Sequence, residues 1–123
     1  MSLRFEIFTA DLDGVVAFYT HVLAFSLVRD ERAAAVGYVA FERDAVRIGA
    51  AHRAEPVDPP ARRPPTGVEL VLEVDDVVAE HARVVARGWP VEEPLQQRPW
   101  GSTDFRVLDP GGHYLRITNR SLS

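Results

Sequence analysis

The sequence contains no cysteine, which excludes disulfide bonds, thiolate metal sites and cysteine nucleophiles. Lysine is also absent: all 14 basic residues are arginine, which we interpret as the codon bias of a GC-rich bacterial genome. The arginines are scattered and the net charge is -4, so there is no basic stripe that could follow a nucleic-acid backbone. No segment is apolar for long enough to span a bilayer, and the first residues lack the apolar run of a signal peptide. We therefore expect a cytoplasmic protein that binds neither nucleic acid nor membranes.

The 123 residues, of which 46% are hydrophobic, suit a single domain with a core of its own. The first elements follow from the spacing of apolar residues. Residues 4–10 alternate between two faces, which predicts a strand. One face carries Phe5, Ile7 and Thr9, and the other carries Arg4, Glu6 and Phe8. Asp11 or Asp13 caps a helix with an apolar stripe, and short strands are predicted over 26–30, 37–42 and 45–51.

The same order of elements returns after a proline-rich linker over 52–66, where neither a helix nor a central strand is expected. A strand over 68–74 precedes a helix that is capped by Asp75 or Asp76 and ended by Gly88. Further strands are predicted over 91–95, 103–108 and 113–118. This repeat predicts an α+β domain over residues 1–123, built from two βαβββ modules, 1–51 and 67–123. In each module the helix covers one face of a four-stranded sheet and leaves the other face open.

Several short segments carry a resemblance through their order and spacing. They are Asp11-Leu12, Phe18-Tyr19, Val22-Leu23-Ala24-Phe25, Glu73-Val74-Asp75-Asp76-Val77, Arg87-Gly88, Trp100-Gly101 and Asp109-Pro110-Gly111-Gly112-His113-Tyr114-Leu115. Together they resemble the vicinal oxygen chelate superfamily, which comprises glyoxalases, bleomycin-resistance proteins and extradiol dioxygenases. The resemblance implies that the two modules curl their sheets around a cavity. Ala24 stands where the family usually has glycine, which implies local strain or a shifted helix cap.

The resemblance also implies where a catalytic metal would be held, on the first and last strands of each module. The corresponding positions in this chain are Arg4, Gly49, Glu69 and Arg116. A protonated guanidinium has no lone pair to donate and glycine has no side chain, so we expect neither a metal nor another cofactor. An arginine at the last position also resembles the bleomycin-resistance proteins, which bind a drug without metal catalysis and form dimers.

Eight side chains are the candidates for contacting a small-molecule ligand: Arg4, Glu6, Phe8, Tyr38, Glu69, Trp100, Phe105 and Arg116. The charged ones either recognise a polar or anionic molecule or form an internal ion-pair network with no further role. Two arginines beside one glutamate would leave about one positive charge unpaired, and burying that charge is costly unless water or an anion satisfies it. Glu6 is either a base, a displaced metal ligand or the partner of Arg4 or Arg47. Trp100 lies in a polar loop and is either a ligand contact, a dimer contact or a plug over the cavity.

Three hypotheses of function remain open. The first is a metal-independent protein, in the form of a homodimer, that sequesters an aromatic or anionic compound such as an antibiotic. The second is a lyase, isomerase or dioxygenase that uses metal-free acid–base chemistry or a non-standard metal site. The residues considered for such a site are Glu6, Glu69, His52 and His113. The third is a remnant that dimerises and binds nothing tightly.

Overall fold

The computed structural model describes residues 1–54, 65 and 67–120. The chain divides into two compact units, residues 1–58 and 59–123. Most of the predicted linker, 52–66, lies outside the described residues. The division of one domain into modules 1–51 and 67–123, with both sheets curled around a cavity, stays a prediction.

The first unit has the predicted order of elements. Strand β1 (Phe5–Thr9) leads to helix α1 (Leu12–Ala17), which continues as a wider π-helical turn over Phe18–Val22. Three strands follow, β2 (Ser26–Glu31), β3 (Tyr38–Arg43) and β4 (Val46–His52). The sheet order is β1-β4-β3-β2, in which β1 runs parallel to β4 and the other pairs are antiparallel.

The second unit repeats this architecture. It consists of β5 (Leu70–Val74), α2 (Val77–Ala86), β6 (Glu93–Gln97), β7 (Thr103–Leu108) and β8 (Tyr114–Asn119). The sheet order is β5-β8-β7-β6, and β5 runs parallel to β8. Each unit is therefore a βαβββ module with a four-stranded mixed sheet, and the predicted α+β class is confirmed.

Both helices begin at an aspartate. The Asp11 Oδ1 atom accepts a hydrogen bond from the Gly14 amide at 2.9 Å, and Asp76 Oδ1 accepts one from the Ala79 amide at 3.0 Å. Each bond satisfies one free amide in the first turn of its helix. The sequence had left the choice of cap open between Asp11 and Asp13 and between Asp75 and Asp76, and the caps are Asp11 and Asp76. Gly88 follows α2 with a φ of +77°, as predicted for a left-handed helix end.

Each helix packs its apolar stripe on one face of its own sheet. In the first module the rings of Phe18, Tyr19 and Phe41 are buried, and Phe18 meets Tyr19 edge-on with a centroid distance of 4.9 Å. In the second module the buried residues Val77 and Val84 of α2 lie on the helix-covered side. The covered face of that sheet consists of Leu72, Phe105, Val107, Leu115 and Ile117, all of them buried.

Phe105 was a candidate ligand contact, and its position corrects that expectation. Its side chain is fully buried, and its ring meets the ring of His81 on α2 at a centroid distance of 5.1 Å. Side chains alternate along a strand, so Phe105 points to the helix and its neighbours Asp104 and Arg106 point to the other face. The ring therefore belongs to the module core and is out of reach of a ligand on the open face.

Candidate ligand-binding site

In the first module, the open face of the sheet carries a hydrogen-bonded trio of Arg4, Glu6 and Tyr38. The Tyr38 hydroxyl donates to both carboxylate oxygens of Glu6, at 2.9 and 3.1 Å. Arg4 Nε lies 2.9 Å from Glu6 Oε1 in an ion pair whose arginine side chain is half exposed. Glu6 thus engages a charge and a hydroxyl at once, which fixes its carboxylate above the sheet.

Gly49 provides the room for this trio. It pairs in register with Glu6 across β1 and β4 and is itself buried. A Cβ atom at Gly49 would come within 2.1 Å of both Glu6 Oε2 and the Tyr38 hydroxyl. The Glu6–Tyr38 hydrogen bond therefore lies directly over the glycine, in the space that a side chain at this position would occupy.

A pocket of about 390 Å³ adjoins this trio and is lined by Arg4, Glu6, Arg29, Glu31, Ala34, Val36 and Tyr38. The guanidinium of Arg29 lies 5.4 Å from the centroid of the Tyr38 ring, a cation–π distance. Burial raises the pKa of Tyr38, and the hydrogen bond to Glu6 raises it further because a phenolate would be repelled by the carboxylate. Tyr38 consequently stays a neutral hydrogen-bond donor.

In the second module, Glu69 and Arg116 meet on the open face. Glu69 Oε1 lies 2.8 Å from Arg116 Nε, and about a third of each side chain is exposed. The pair is close but poorly directed: Arg116 Nε has no hydrogen-bond partner within the described part of the chain. Arg4 and Arg116 each have a carboxylate of their own module. The expected unpaired positive charge among Arg4, Glu69 and Arg116 is therefore corrected, because Glu6 supplies the missing partner.

A second charged cluster of this face was missed by sequence reasoning. Arg98 Nε donates to Asp104 Oδ1 at 3.0 Å, and Arg106 Nη1 lies 3.7 Å from the same oxygen. Arg106 Nη1 also donates to Glu93 Oε2 at 2.6 Å. The Asp104 side chain is only 1% exposed, so a buried carboxylate holds two guanidinium groups. The alternation of the predicted strand 103–108 contained the signal, because it sets Asp104 and Arg106 opposite Phe105 and Val107.

Trp100 lies in the loop between β6 and β7 and is 69% exposed. It lines a pocket of about 270 Å³ with Val71, Glu73, Gly101, Ser102, Arg116, Thr118, Asn119 and Arg120. The guanidinium of Arg98 approaches its ring at 6.0 Å, near the outer limit for a cation–π contact. Two candidates from the sequence, Trp100 and Arg116, are thus brought to one pocket within the second module.

The remaining candidates lie apart from these pockets. Phe8 is on the open face of the first module, 42% exposed, with the Arg53 guanidinium 4.4 Å from its ring centroid. His113 contacts the buried Asp109 carboxylate through Nδ1 at 2.8 and 2.9 Å, in the turn between β7 and β8. Asp109 also accepts from the Gly111 and His113 amides, which makes this contact part of the turn. His52 is exposed at the end of β4.

The side chains at the four family metal positions do not fit a divalent metal. Arg4 and Arg116 are engaged with carboxylates, Gly49 offers no donor atom, and Glu69 would be the only ligand of the four. Over residues 1–54, 65 and 67–120, no three His, Asp or Glu side chains come together in a group that could hold a metal ion. Metal independence itself stays a prediction.

The sequence profile of the Glyoxalase/Bleomycin resistance protein/Dioxygenase superfamily matches residues 3–117. The chain therefore belongs to this superfamily, as the resemblance of its short segments had indicated. Comparison with curated protein sequences finds no match.

Solved structures of similar fold cover almost the whole chain. TioX from Micromonospora sp. ML1 has a TM-score of 0.77 at 24% identity, over 98% of this chain and 100% of TioX. A bleomycin-binding protein, solved in complex with bleomycin, has a TM-score of 0.75 at 21% identity, over 98% and 99% of the two chains. An integron cassette protein from V. cholerae has a TM-score of 0.68 at 23% identity, over 98% and 96%. At these identities the likeness establishes the fold. Among the described residues, no helix combines the length and apolar character that a membrane crossing requires.

Proposed function

We propose that the chain is a metal-independent small-molecule-binding protein that captures a flat compound with an anionic group and changes no bond in it. The observation that carries the proposal is the pocket shared by Trp100 and Arg116. An exposed indole offers a face for stacking, and a guanidinium beside it can hold a carboxylate or phosphate. Val71 adds apolar surface to the same pocket.

The chemistry of the family metal positions supports the metal-independent part of the proposal. Arginine at two of them supplies positive charge without an open coordination site. At a third, the Glu6–Tyr38 hydrogen bond fills the space above Gly49. A bleomycin-binding protein and TioX share this fold, and the former binds its drug in the solved complex. Capture of an antibiotic-like compound is therefore the use of the fold that we favour for this chain.

We further propose that the protein is a homodimer, on the basis of one surface of α2. This surface, the outer face of α2, consists of the exposed residues Val78, Ala79, Ala82, Val85 and Ala86. It carries no charge, whereas Glu80 is buried on the opposite side with Arg83 as its partner. A helix facing water normally shows the reverse distribution. Antiparallel pairing of two copies would bring the acidic start of one helix, Asp75 and Asp76, to Arg87 at the end of the other.

A ligand screen with a matched variant tests the capture of a flat compound. We expect one or more aromatic antibiotics to raise the melting temperature of the wild-type protein and to quench tryptophan fluorescence. Trp100→Ala should weaken the binding of that compound by about 5- to 13-fold, since one stacking contact of this kind contributes about 1–1.5 kcal/mol. Trp89→Phe is the control, because Trp89 Nε1 donates to the Leu108 carbonyl at 2.8 Å as part of the module packing. No shift with any compound at millimolar concentration would overturn the proposal.

One observation favours an enzyme as the second candidate. The neutral Tyr38 and the Glu6 carboxylate lie side by side at a pocket, which is an arrangement suited to metal-free proton transfer. If the protein is a lyase or isomerase, a product should form from the captured compound, and its formation should depend on Glu6. Stoichiometric zinc, nickel, iron or manganese in protein purified without chelator would instead support a metal enzyme and contradict metal independence.

A further inference from the structure

The open face of the second sheet carries charges in the order negative, positive, positive, negative. Arg116 on β8 and Arg106 on β7 face each other in register at the centre of the sheet. Glu69 and Glu93 lie beside them: Glu69 directly precedes the outer strand β5, and Glu93 is the first residue of the outer strand β6. Like charges directly opposite one another across two strands destabilise a sheet. Two arginines at this place therefore call for a further anion or for compensation by the glutamates.

Arg106 lies close to the carboxylate of Asp104, which solvent does not reach. Asp104 is buried, binds Arg98 through Oδ1 and lies close to Arg106. A buried carboxylate that is released from its arginines would be left as an uncompensated charge, so this contact is expected to persist. Asp104 thus positions two guanidinium groups without neutralising both of them.

Unlike Asp104, Glu93 is placed so that another anion can replace its carboxylate. Its side chain is 44% exposed, and it lies where the pairing of β6 with β7 shifts register. It bridges Arg106 at 2.6 Å and Arg98 at 3.6 Å. Arg106 is only 15% exposed, but it also lies 3.7 Å from the buried Asp104, so it keeps a carboxylate nearby when Glu93 moves away. The carboxylate of Glu93 can therefore give way to another anion at small cost.

The arginines also retain unused donors. Arg98 Nη2 and Arg116 Nε are shielded from solvent and lack a hydrogen-bond partner among the described residues. A pocket of about 390 Å³ is lined by Pro65, Glu69, Glu93, Arg98, Arg106 and Tyr114. Arg116 adjoins this lining, because it contacts Glu69 and pairs in register with Arg106. An oxyanion in this pocket could accept several charge-assisted hydrogen bonds at once.

We infer that Arg98, Arg106 and Arg116 form an oxyanion subsite in which Glu93 stands in for the carboxylate or phosphate group of a ligand. Binding exchanges the Glu93 carboxylate for the ligand's anion while Asp104 holds the arginines in place. This inference rests on the proposed small-molecule capture and names the part of the ligand that the second sheet recognises. It predicts that removal of an acidic residue, Glu93, improves binding of a small anion.

Inorganic phosphate at constant ionic strength is the probe. We expect wild-type protein to show a small rise in melting temperature, and Glu93→Gln to show a rise of roughly 5 °C at a phosphate concentration about ten times its dissociation constant. Glu31→Gln is the matched control, because Glu31 pairs with Arg29 at 3.1 Å in the first module and its side chain is 45% exposed. The control should respond like the wild type.

Two further variants separate the outcomes. Arg116→Gln in the Glu93→Gln background should abolish the phosphate response while the buried Asp104 keeps both of its arginines. Equal responses of Glu93→Gln, Glu31→Gln and wild type would overturn the subsite, as would a response that survives Arg116→Gln. Phosphate binding does not need the indole, so Trp100→Ala should leave it unchanged. A failed screen of aromatic compounds with an intact phosphate response would therefore count against the proposed capture of a flat compound and leave the subsite standing.

Discussion

At the scale of the residue, Gly49 links the backbone of the first sheet to the chemistry of its open face. Its φ is not in the left-handed region, so the backbone alone does not demand glycine here. The demand comes from Glu6 and Tyr38, whose oxygens occupy the position of a Cβ atom. Glycine at this place is thus a condition for the hydrogen bond above it.

The first prediction concerns Gly49→Ala. We expect it to lower the free energy of unfolding by about 1–3 kcal/mol, because a methyl group must displace the Glu6 carboxylate or the Tyr38 hydroxyl. Chemical denaturation measures the change. In a background of Glu6→Ala and Tyr38→Phe the same substitution should cost much less, since the obstructing oxygens are gone. An unchanged cost in that background would mean that Gly49 serves the backbone and not the pair.

Single residues also show why the site could be predicted only in part from sequence. Strand alternation placed Arg4, Glu6 and Phe8 on one face correctly, because the side-chain period of a strand is fixed. The choice of partner followed only in part, because an arginine can reach carboxylates on several neighbouring strands. The sequence offered Arg4 or Arg47 as the partner of Glu6, and in the structure Glu6 contacts Arg4, two residues away. The cluster around Asp104 was missed because the sequence does not show which strands are neighbours in the sheet.

At the scale of the element, the helices and strands followed closely from local pattern. Aspartate caps, a glycine helix end and apolar stripes predicted the two α-helices, and alternation and turn residues predicted the eight strands found in the described part of the chain. The one clear local departure is the end of the first helix. There α1 widens into a π-helical turn over Phe18–Val22, and the Phe25 amide reaches back to the Tyr19 carbonyl at 2.8 Å. No apolar spacing of so short a segment distinguishes a π turn from an α turn.

The second prediction follows from this helix end. Ala24 has a φ of +58°, as its place in the family pattern implied, and its side chain is exposed. That conformation costs an alanine about 1–2 kcal/mol, of which the greater freedom of glycine in the unfolded chain offsets about 0.5–1 kcal/mol. We therefore expect Ala24→Gly to stabilise the protein by about 0.5–1 kcal/mol in thermal or chemical unfolding.

A matched alanine provides the control for this helix end. Ala33 is exposed in the turn after β2, and its φ is not among the positive values of the described residues. Ala33→Gly should destabilise the protein by up to about 1 kcal/mol, because it only adds freedom to the unfolded chain. Stabilisation by both substitutions, or by neither, would contradict strain at Ala24.

At the scale of the whole molecule, the two modules differ in what their helices present to solvent. The exposed positions of α1 include the charged Asp13, whereas the outer face of α2 is uniformly apolar. Val78 and Val85 remain 60% and 54% exposed. An apolar helix face of this kind in a protein with 26% charged residues is the feature expected of an interface.

The third prediction is that two copies associate through the outer face of α2. A ten-residue helix is about 15 Å long, so a pair of them buries less than the roughly 1,200 Å² of a stable interface. Unless other surfaces contribute, the dissociation constant should lie on the order of micromolar. Sedimentation velocity over a concentration series measures it directly.

A charge placed on this face should disrupt the association. Val78→Glu buries an unpaired carboxylate in the dimer and is expected to raise the dissociation constant by at least about tenfold. Val28→Glu is the control, since Val28 is 52% exposed on the edge strand β2 of the first module and is not part of the outer face of α2. If Val78→Glu instead disturbed the packing of α2, it would lower the melting temperature of the monomer. If it only removes the interface, the monomer stays intact and the sedimentation coefficient no longer depends on protein concentration. A monomeric wild type, or a Val78→Glu dimer as tight as the Val28→Glu dimer, would mean that the apolar face of α2 does not join two copies.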